Sequence, residues 1–421
     1  MEYLLFTIAL LLIAWGYPRI GFIKRSGLSR KEILLLLLFK IATGLVVAAY
    51  FSRISTNDYT VINEEGILQY QLLMKQPLLF FNDFTSDIER YGMGGLFETK
   101  DSFWAYVRFT ALYKCMAILN LVTRGNFYLN TALFSSLVFL GHIAFFRIYH
   151  SIYNTHKWKI IFACFCLPSL FTYTACIHKD GVIFLCLGMI SYIFYRCISE
   201  PNNLNWKSLL MLTINFLLIS LFRNYVLVAL IPAMIIAILS RRLTWNRWAI
   251  FAGSYLVFMC LFFATRISDS PLNLPAAVVQ RKADFALLEP GNTAVAMNEL
   301  QPDLQSFAQN LPHAINHYLF RPYLWEFKQP AILFTAVELF VYHLLILLFI
   351  FFPKKKDGPI HPYNIFGLAL LLNMMLIIGY TIPNIGAIVR YRSIFWVFLI
   401  CPLLCNINWK RLLKQRIVDG S

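Results

Sequence analysis

The sequence predicts an all-α, polytopic protein threaded through a membrane, and three observations predict it. Of 421 residues, 59% are hydrophobic and only 14% charged, against about 25% charged in an ordinary soluble domain. Mean hydropathy is +0.63. Continuous runs of roughly 17 to 22 mostly apolar residues recur along the chain, each able to cross about 30 Å of hydrocarbon at 1.5 Å per residue. Because the runs are continuous and not alternating, a transmembrane β-barrel is excluded.

Basic residues in short loops set the orientation. Clusters fall at Lys24-Arg25 with Arg30-Lys31, at Arg147 with Lys157 and Lys159, at Arg241-Arg242 with Arg247, at Lys354-Lys355-Lys356, and in the tail Lys410-Arg411 with Lys414 and Arg416. All lie on one side if spans cover 3–23, 33–52, 127–147, 158–176, 181–199, 207–222, 225–241, 247–266, 331–352, 364–383 and 393–408. That arrangement has about eleven helices, with the N-terminus outside and the C-terminus cytoplasmic. The run 3–23 lacks a basic n-region and a small-residue cleavage site, so it reads as a retained helix.

The segment 103–122 carries Arg108 and Lys114, and counting it as a span would invert its neighbours. It therefore reads as a helix in the outer interface, with amphipathic 62–74 as its companion; if it crosses, the count becomes twelve. Two long external loops follow, about 53–126 and 267–330, the second ending in a helix-compatible piece at 304–319. No internal repeat or low-complexity tract divides the chain, which reads as one integral-membrane domain over 1–421 in the plasma membrane.

The net charge of +16 is scattered between spans without a basic face, so topology and anionic lipid headgroups explain it and nucleic acid is excluded as a partner. The nine cysteines lie mostly within apolar runs, among them Cys164, Cys166, Cys186, Cys260 and Cys401. Cys164 and Cys166 form a C-x-C pair, but no second pair or nearby His completes a zinc set.

On the predicted outer side, acids and bases mix. "HKDG" places His178, Lys179 and Asp180 in one short break; Asp58, Glu64 and Glu65 follow the second span; Asp83, Asp87, Glu89 and Arg90 lie further along that loop. Arg223 stands in "SLFRNYVL", Arg321 and Glu326 in "LFRPYLWEF", and Arg390 and Arg392 in "IGAIVRYRSIF". Each group has a plain structural reading: a solvated turn with a helix cap, snorkelling arginines, a local pair flanked by Tyr323 and Trp325, or solvated loop acids. Their agreement across four separated segments argues for one site. Within spans, Lys40 suits snorkelling inward, and Glu338 suits either a functional role or a hydrogen bond to His343 or a neighbouring helix.

A lipid-linked sugar phosphate at the outer interface needs fixed cations, and the planar fork of Arg binds phosphate oxygens bidentately. Arg390, Arg392, Lys179 and Arg321 suit that task. A carboxylate opposite would deprotonate the acceptor hydroxyl, with Asp58 first in line and Glu65 second.

On these residues the chain resembles the GT-C-type integral-membrane glycosyltransferases that use polyprenyl-phosphate sugars, and bacterial relatives in polysaccharide pathways. The resembling patches are "NDYTVINEEG", "PSLFTYTACIHKDG", "LFRPYLWE" with "AVELF", and "IGAIVRYR". The resemblance implies an acid in the first large external loop, Asp58 here, and agrees with a donor-phosphate set of His178, Lys179, Arg321, Arg390 and Arg392, to which Arg223 is added from its place at a predicted outer turn, with Asp180, Glu326 and Glu338 in support. It implies a polyprenyl-phosphate-linked sugar and a lipid- or glycan-linked acceptor as partners. A clean D-x-D is missing from the first loop, so a bound divalent metal is not required by the sequence, and no metal ligand is assigned.

An O-antigen or exopolysaccharide polymerase shares this layout, but would rely on Arg and His to hold polyprenyl pyrophosphate. A transporter of lipid-linked glycans would place polar groups near the midplane and show repeats. A non-catalytic assembly subunit is the remaining alternative.

Overall fold

The structure is a computed structural model describing residues 2–54, 57–82, 103–154, 156–200, 205–267, 273–287, 293–326, 330–354 and 360–412. Asp83, Asp87, Glu89, Arg90, Lys355, Lys356, Lys414 and Arg416 lie outside the described residues. The described residues are helical, with no strand and only two isolated bridges between segments.

Seven described helices are long and apolar enough to cross a membrane: Arg30–Phe51, Phe127–Ile152, Lys179–Ser199, Trp206–Arg242, Arg247–Ala264, Ile332–Phe351 and Pro362–Thr381. The pair Ile385–Ser393 and Val397–Asn406, bent by 61°, makes an eighth if it is one broken span. The protein is thus polytopic and helical, as the apolar runs predict.

The difference from about eleven spans comes from breaks within those runs. The run 3–23 ends as a helix at Gly16, where Pro18 enters a 3-10 turn; its 15 residues reach about 22 Å, short of the hydrocarbon core. In 158–176, Pro168 separates Lys157–Phe165 from Pro168–Tyr173, because proline lacks an N–H and disfavours helix in the residue before it. The predicted spans 207–222 and 225–241 belong to one 37-residue helix, Trp206–Arg242, interrupted by non-helical backbone at Arg223 (φ −150°, ψ 73°). At about 55 Å it exceeds one crossing, and the interruption falls where the sequence predicts a turn. The segment 103–122 forms the helix Phe103–Thr123 and is not among the seven.

The chain forms two compact units. The first comprises Met1–Ile148, Phe171–Phe194 and Leu204–Asn224; the second comprises Tyr149–Leu170, Tyr195–Asn203 and Tyr225–Ser421.

In the first unit, Asp58–Lys75 packs along Phe103–Thr123. Gly66 permits the approach, since a Cβ there would stand 2.6 Å from Met116 Cβ. Asn130 on Phe127–Ile152 locks the pair from the side: its Nδ2 donates to Asn63 Oδ1 (3.0 Å) and Asn120 Oδ1 (2.8 Å), while its Oδ1 accepts from the Thr123 hydroxyl at 2.6 Å. Asn130→Ala removes the partner of several buried polar atoms, each worth about 1–3 kcal/mol when unsatisfied. Thermal unfolding in detergent is expected to show a correspondingly lower midpoint. Gly188 faces Gly141, whose carbonyl oxygen would lie 2.9 Å from an added Cβ, so Lys179–Ser199 and Phe127–Ile152 cross at backbone contact.

In the second unit, Pro362–Thr381 is the common partner of Leu274–Ala286, Leu304–Ile315, Ile385–Ser393 and Val397–Asn406. Leu300, Phe307, Ala314 and Tyr380 form a buried cluster, covered by Phe262 and Phe263. A Cβ on Gly379 would lie 2.3 Å from the Ala314 carbonyl oxygen. Backbone cannot yield as a flexible side chain does. Gly379→Ala is therefore expected to destabilise by about 1–3 kcal/mol, read as a lower melting midpoint in detergent.

Candidate functional site

The break before Lys179–Ser199 leaves backbone carbonyls without helical partners, and side chains of the first unit satisfy them. Lys40 Nζ donates to Phe171 O (3.0 Å) and Thr174 Oγ1 (2.6 Å), and lies 4.5 Å from the Phe171 ring centroid. The side chain is fully buried, so it pins this segment and does not snorkel inward. The Ser135 hydroxyl donates to Ala175 O, and Thr131 Oγ1 lies 3.7 Å from Cys176 Sγ. These contacts hold the residues immediately before His178.

Asn57 sets the position of Asp58. Its Oδ1 accepts from the N–H groups of Tyr59 and Thr60, both at 3.1 Å, capping Asp58–Lys75. Its Nδ2 donates to Phe51 O (2.8 Å) and Ile54 O (2.9 Å), which ties this cap to the end of Arg30–Phe51. Asp58 becomes the first residue of its helix.

Four side chains from three segments then form a linear array. Arg223 Nη2 pairs with Asp180 Oδ1, Asp180 Oδ2 lies 2.8 Å from His178 Nδ1, and His178 Nε2 lies 3.3 Å from Asp58 Oδ2. Arg223, Asp180 and His178 are buried, whereas the Asp58 side chain is 58% exposed. The non-helical backbone at Arg223 is the point from which its guanidinium reaches Asp180.

The Asp180 N–H donates to His178 Nδ1 at 3.2 Å, and Asp180 Oδ2 lies 2.8 Å from the same nitrogen as an ion-pair contact. With Nδ1 accepting, the opposite ring nitrogen Nε2 is the one that faces Asp58 Oδ2 as a donor, at 3.3 Å. The array thus orients an imidazole toward a solvent-facing carboxylate.

Other groups gather at the same end of this unit. Glu65, half-buried, lies two turns beyond Asp58 on its helix, with Glu64 exposed beside it. Burial, followed by the negative charges of Glu65 and Asp58 and nearby Tyr106, pushes the Tyr113 phenol above its usual range. Lys179 Nζ lies 5.1 Å from the Phe109 ring centroid, and Phe109 is one turn before Tyr113. Sequence reasoning missed Tyr113; the aromatic pair spaced i, i+4 on the helix next to the acids was the available signal.

In the second unit the predicted residues form other groups. Arg392 is 2% exposed; its Nη1 donates to Tyr318 O and its guanidinium lies 5.8 Å from the Trp396 ring centroid. Arg390 is half-buried, 5.3 Å from the Tyr391 ring centroid. Arg321 Nε meets Glu326 Oε1 at 3.1 Å, and Glu326 Oε2 accepts from Tyr323 N–H at 3.1 Å, which makes the local pair of the plain structural reading.

Glu338 is buried and accepts from Ser169 N–H (3.0 and 3.1 Å), the Ser169 hydroxyl (3.1 Å) and the Tyr342 hydroxyl. Of the two readings of Glu338, these contacts match helix-to-helix glue at the start of Pro168–Tyr173. His343 stacks instead on Phe320, with centroids 5.1 Å apart.

Among the described residues, no group of three or more His, Cys, Asp or Glu side chains is arranged to hold a metal ion. Compared with protein-family models, with curated proteins and with solved structures, the chain matches none.

Proposed function

We propose that the chain is a membrane glycosyltransferase that moves a sugar from a polyprenyl-phosphate-linked donor to a lipid- or glycan-linked acceptor at the outer face of the plasma membrane, in cell-envelope polysaccharide synthesis. The observation that carries this reading is the Asp58–His178–Asp180–Arg223 array, in which three buried members support one exposed carboxylate.

In the reaction, the Asp58 carboxylate takes the proton of an acceptor hydroxyl as that oxygen bonds to the anomeric carbon of the donor sugar. The bond from that carbon to the phosphate oxygen breaks, and polyprenyl phosphate leaves with the electron pair. His178, held by Asp180 and Arg223, fixes the direction of Asp58 and stabilises its charge through Nε2. Lys179, beside Asp180 at the start of the same helix, is a cation suited to the departing phosphate. One displacement at the anomeric carbon inverts its configuration.

The polymerase reading rests on arginines that hold pyrophosphate, and Arg392 is instead committed to a backbone carbonyl. That contact favours the carboxylate-dependent transferase. Glycan analysis of a deletion strain tests the choice: a truncated unit supports the transferase, whereas accumulation of a complete single repeat unit shows a polymerase. Passage of lipid-linked glycan across liposomes containing the pure protein, unaffected by Asp58→Asn, would instead establish transport.

A further inference from the structure

Three segments of the second unit meet at the end predicted to face the cytoplasm: the start of Lys157–Phe165 and the chain just beyond Ile332–Phe351 and Val397–Asn406. Backbone bonds fix the last two together, since Lys354 N–H donates to Asn406 O (2.9 Å) and Asn408 N–H to Phe352 O (2.8 Å). Lys354 Nζ then joins all three, donating to Cys405 O at 2.8 Å and to His156 Nε2 at 2.6 Å. Because an ammonium only donates, that ring nitrogen accepts and carries no proton. Beside them, Lys159 Nζ stands 5.3 Å from the ring centroid of Trp409, whose Nε1 is tied to Leu404 O (3.0 Å).

This cluster holds positive charge without a negative counterpart. Among the described residues, no carboxylate comes within ion-pair distance of Lys159, Lys354 or Arg411. Both lysines are half-buried, so water screens them less than it screens a fully exposed side chain. Lys159 also stands in the first turn of its helix, with Lys157, where the macrodipole already adds positive partial charge. The His156 imidazole registers the sum: burial, then the charges of Lys354 and Lys159, lower its pKa from the usual value. Lys354 has used two of its three N–H donors, and the third has no partner among the described residues.

The surroundings decide between a free anion and a lipid. Trp158, 73% exposed, lies between the two lysines of that first turn, and Phe351, 67% exposed, ends its span three residues before Lys354. Exposed aromatic carbon beside cations at the end of a span suits the glycerol and upper acyl chain that hang below a phosphate. A soluble phosphate would leave that carbon in water.

We infer that Lys159 and Lys354 bind the phosphate of an anionic phospholipid, with Trp158 and Phe351 against its glycerol and upper acyl chain. This is a discrete site, unlike the general attraction of scattered basic residues for headgroups, and it is independent of the glycosyl-transfer reading. Native mass spectrometry of the full-length protein, delipidated in detergent, would titrate phosphatidylglycerol against phosphatidylcholine of the same acyl chains, with inorganic phosphate as the free-ion probe.

Phosphatidylglycerol is expected to bind at least about tenfold more tightly than phosphatidylcholine, and to be weakened about tenfold by Lys159→Gln and by Lys354→Gln. Lys159→Arg should restore binding and Trp158→Ala should weaken it. Lys31→Gln, which removes an exposed cation of the first unit, should leave it unchanged. Equal affinity for the two lipids overturns the site, as does a loss in Lys31→Gln as large as that in the Lys159 and Lys354 variants, because scattered surface charge then explains the binding. Full displacement by millimolar inorganic phosphate, with Trp158→Ala without effect, overturns the lipid and shows an ion site. If Lys354→Gln does not fold, having lost its ties to Cys405 and His156, Lys159→Gln and Trp158→Ala decide.

Discussion

Asp58→Asn is expected to lower glycan product by roughly 10²–10⁴-fold while leaving the amount and melting midpoint of the membrane protein unchanged. Stability is spared because the side chain is 58% exposed and asparagine can still accept from His178 Nε2 through its amide oxygen. Only the capacity to take a proton is lost. Glu65→Gln provides the contrast: it sits on the same helix, half-buried and two turns from the carboxylate that faces His178, so activity should fall far less. A reversed order, with Glu65→Gln inactive and Asp58→Asn active, would move the base two turns along the helix. Full activity in both variants would remove carboxylate catalysis from this unit and leave the array without an enzymatic purpose.

Helix type and membrane residence were legible because they depend on continuous apolarity, a property of composition within a window. Span number was less legible because Pro18, Pro168 and the backbone at Arg223 cut apolar runs that hydropathy alone joins or separates. The same limit applied to side chains. The cluster at His178, Lys179 and Asp180 could be read as anomalous from its desolvation cost. Its partner Arg223, 43 residues beyond Asp180, stands in the sequence as one of many charges at predicted outer turns, because pairing depends on how helices pack. Burial decides whether a cation is available, and sequence position does not reveal it: Arg392 lies under Tyr318, while Lys40, expected at an interface, reaches a carbonyl inside the first unit. Tyr113 escaped notice because a tyrosine gains interest only from its surroundings, here the charges of Glu65 and Asp58.

Arg223→Leu is expected to be the most damaging substitution for the folded state of the first unit. It strands Asp180, a fully buried carboxylate, with a histidine as its remaining partner in the array, and breaking a buried ion pair on one side costs about 3–5 kcal/mol. That is a large part of the stability of any single domain. Size-exclusion profiles after detergent extraction should show little folded protein, and any that remains should melt well below wild type. The double variant Asp180→Leu with Arg223→Leu separates folding from chemistry. Replacing both ions by apolar groups removes the stranded charge and should recover much of the lost stability. It should not recover product formation, because His178 then loses the carboxylate 2.8 Å from its ring that fixes its direction. Arg223→Lys should fall between, keeping a positive charge while losing the planar geometry of guanidinium. If the double variant is both stable and active, Asp180 and Arg223 serve packing alone; if it is stable and inactive, the buried pair exists to aim His178 at Asp58.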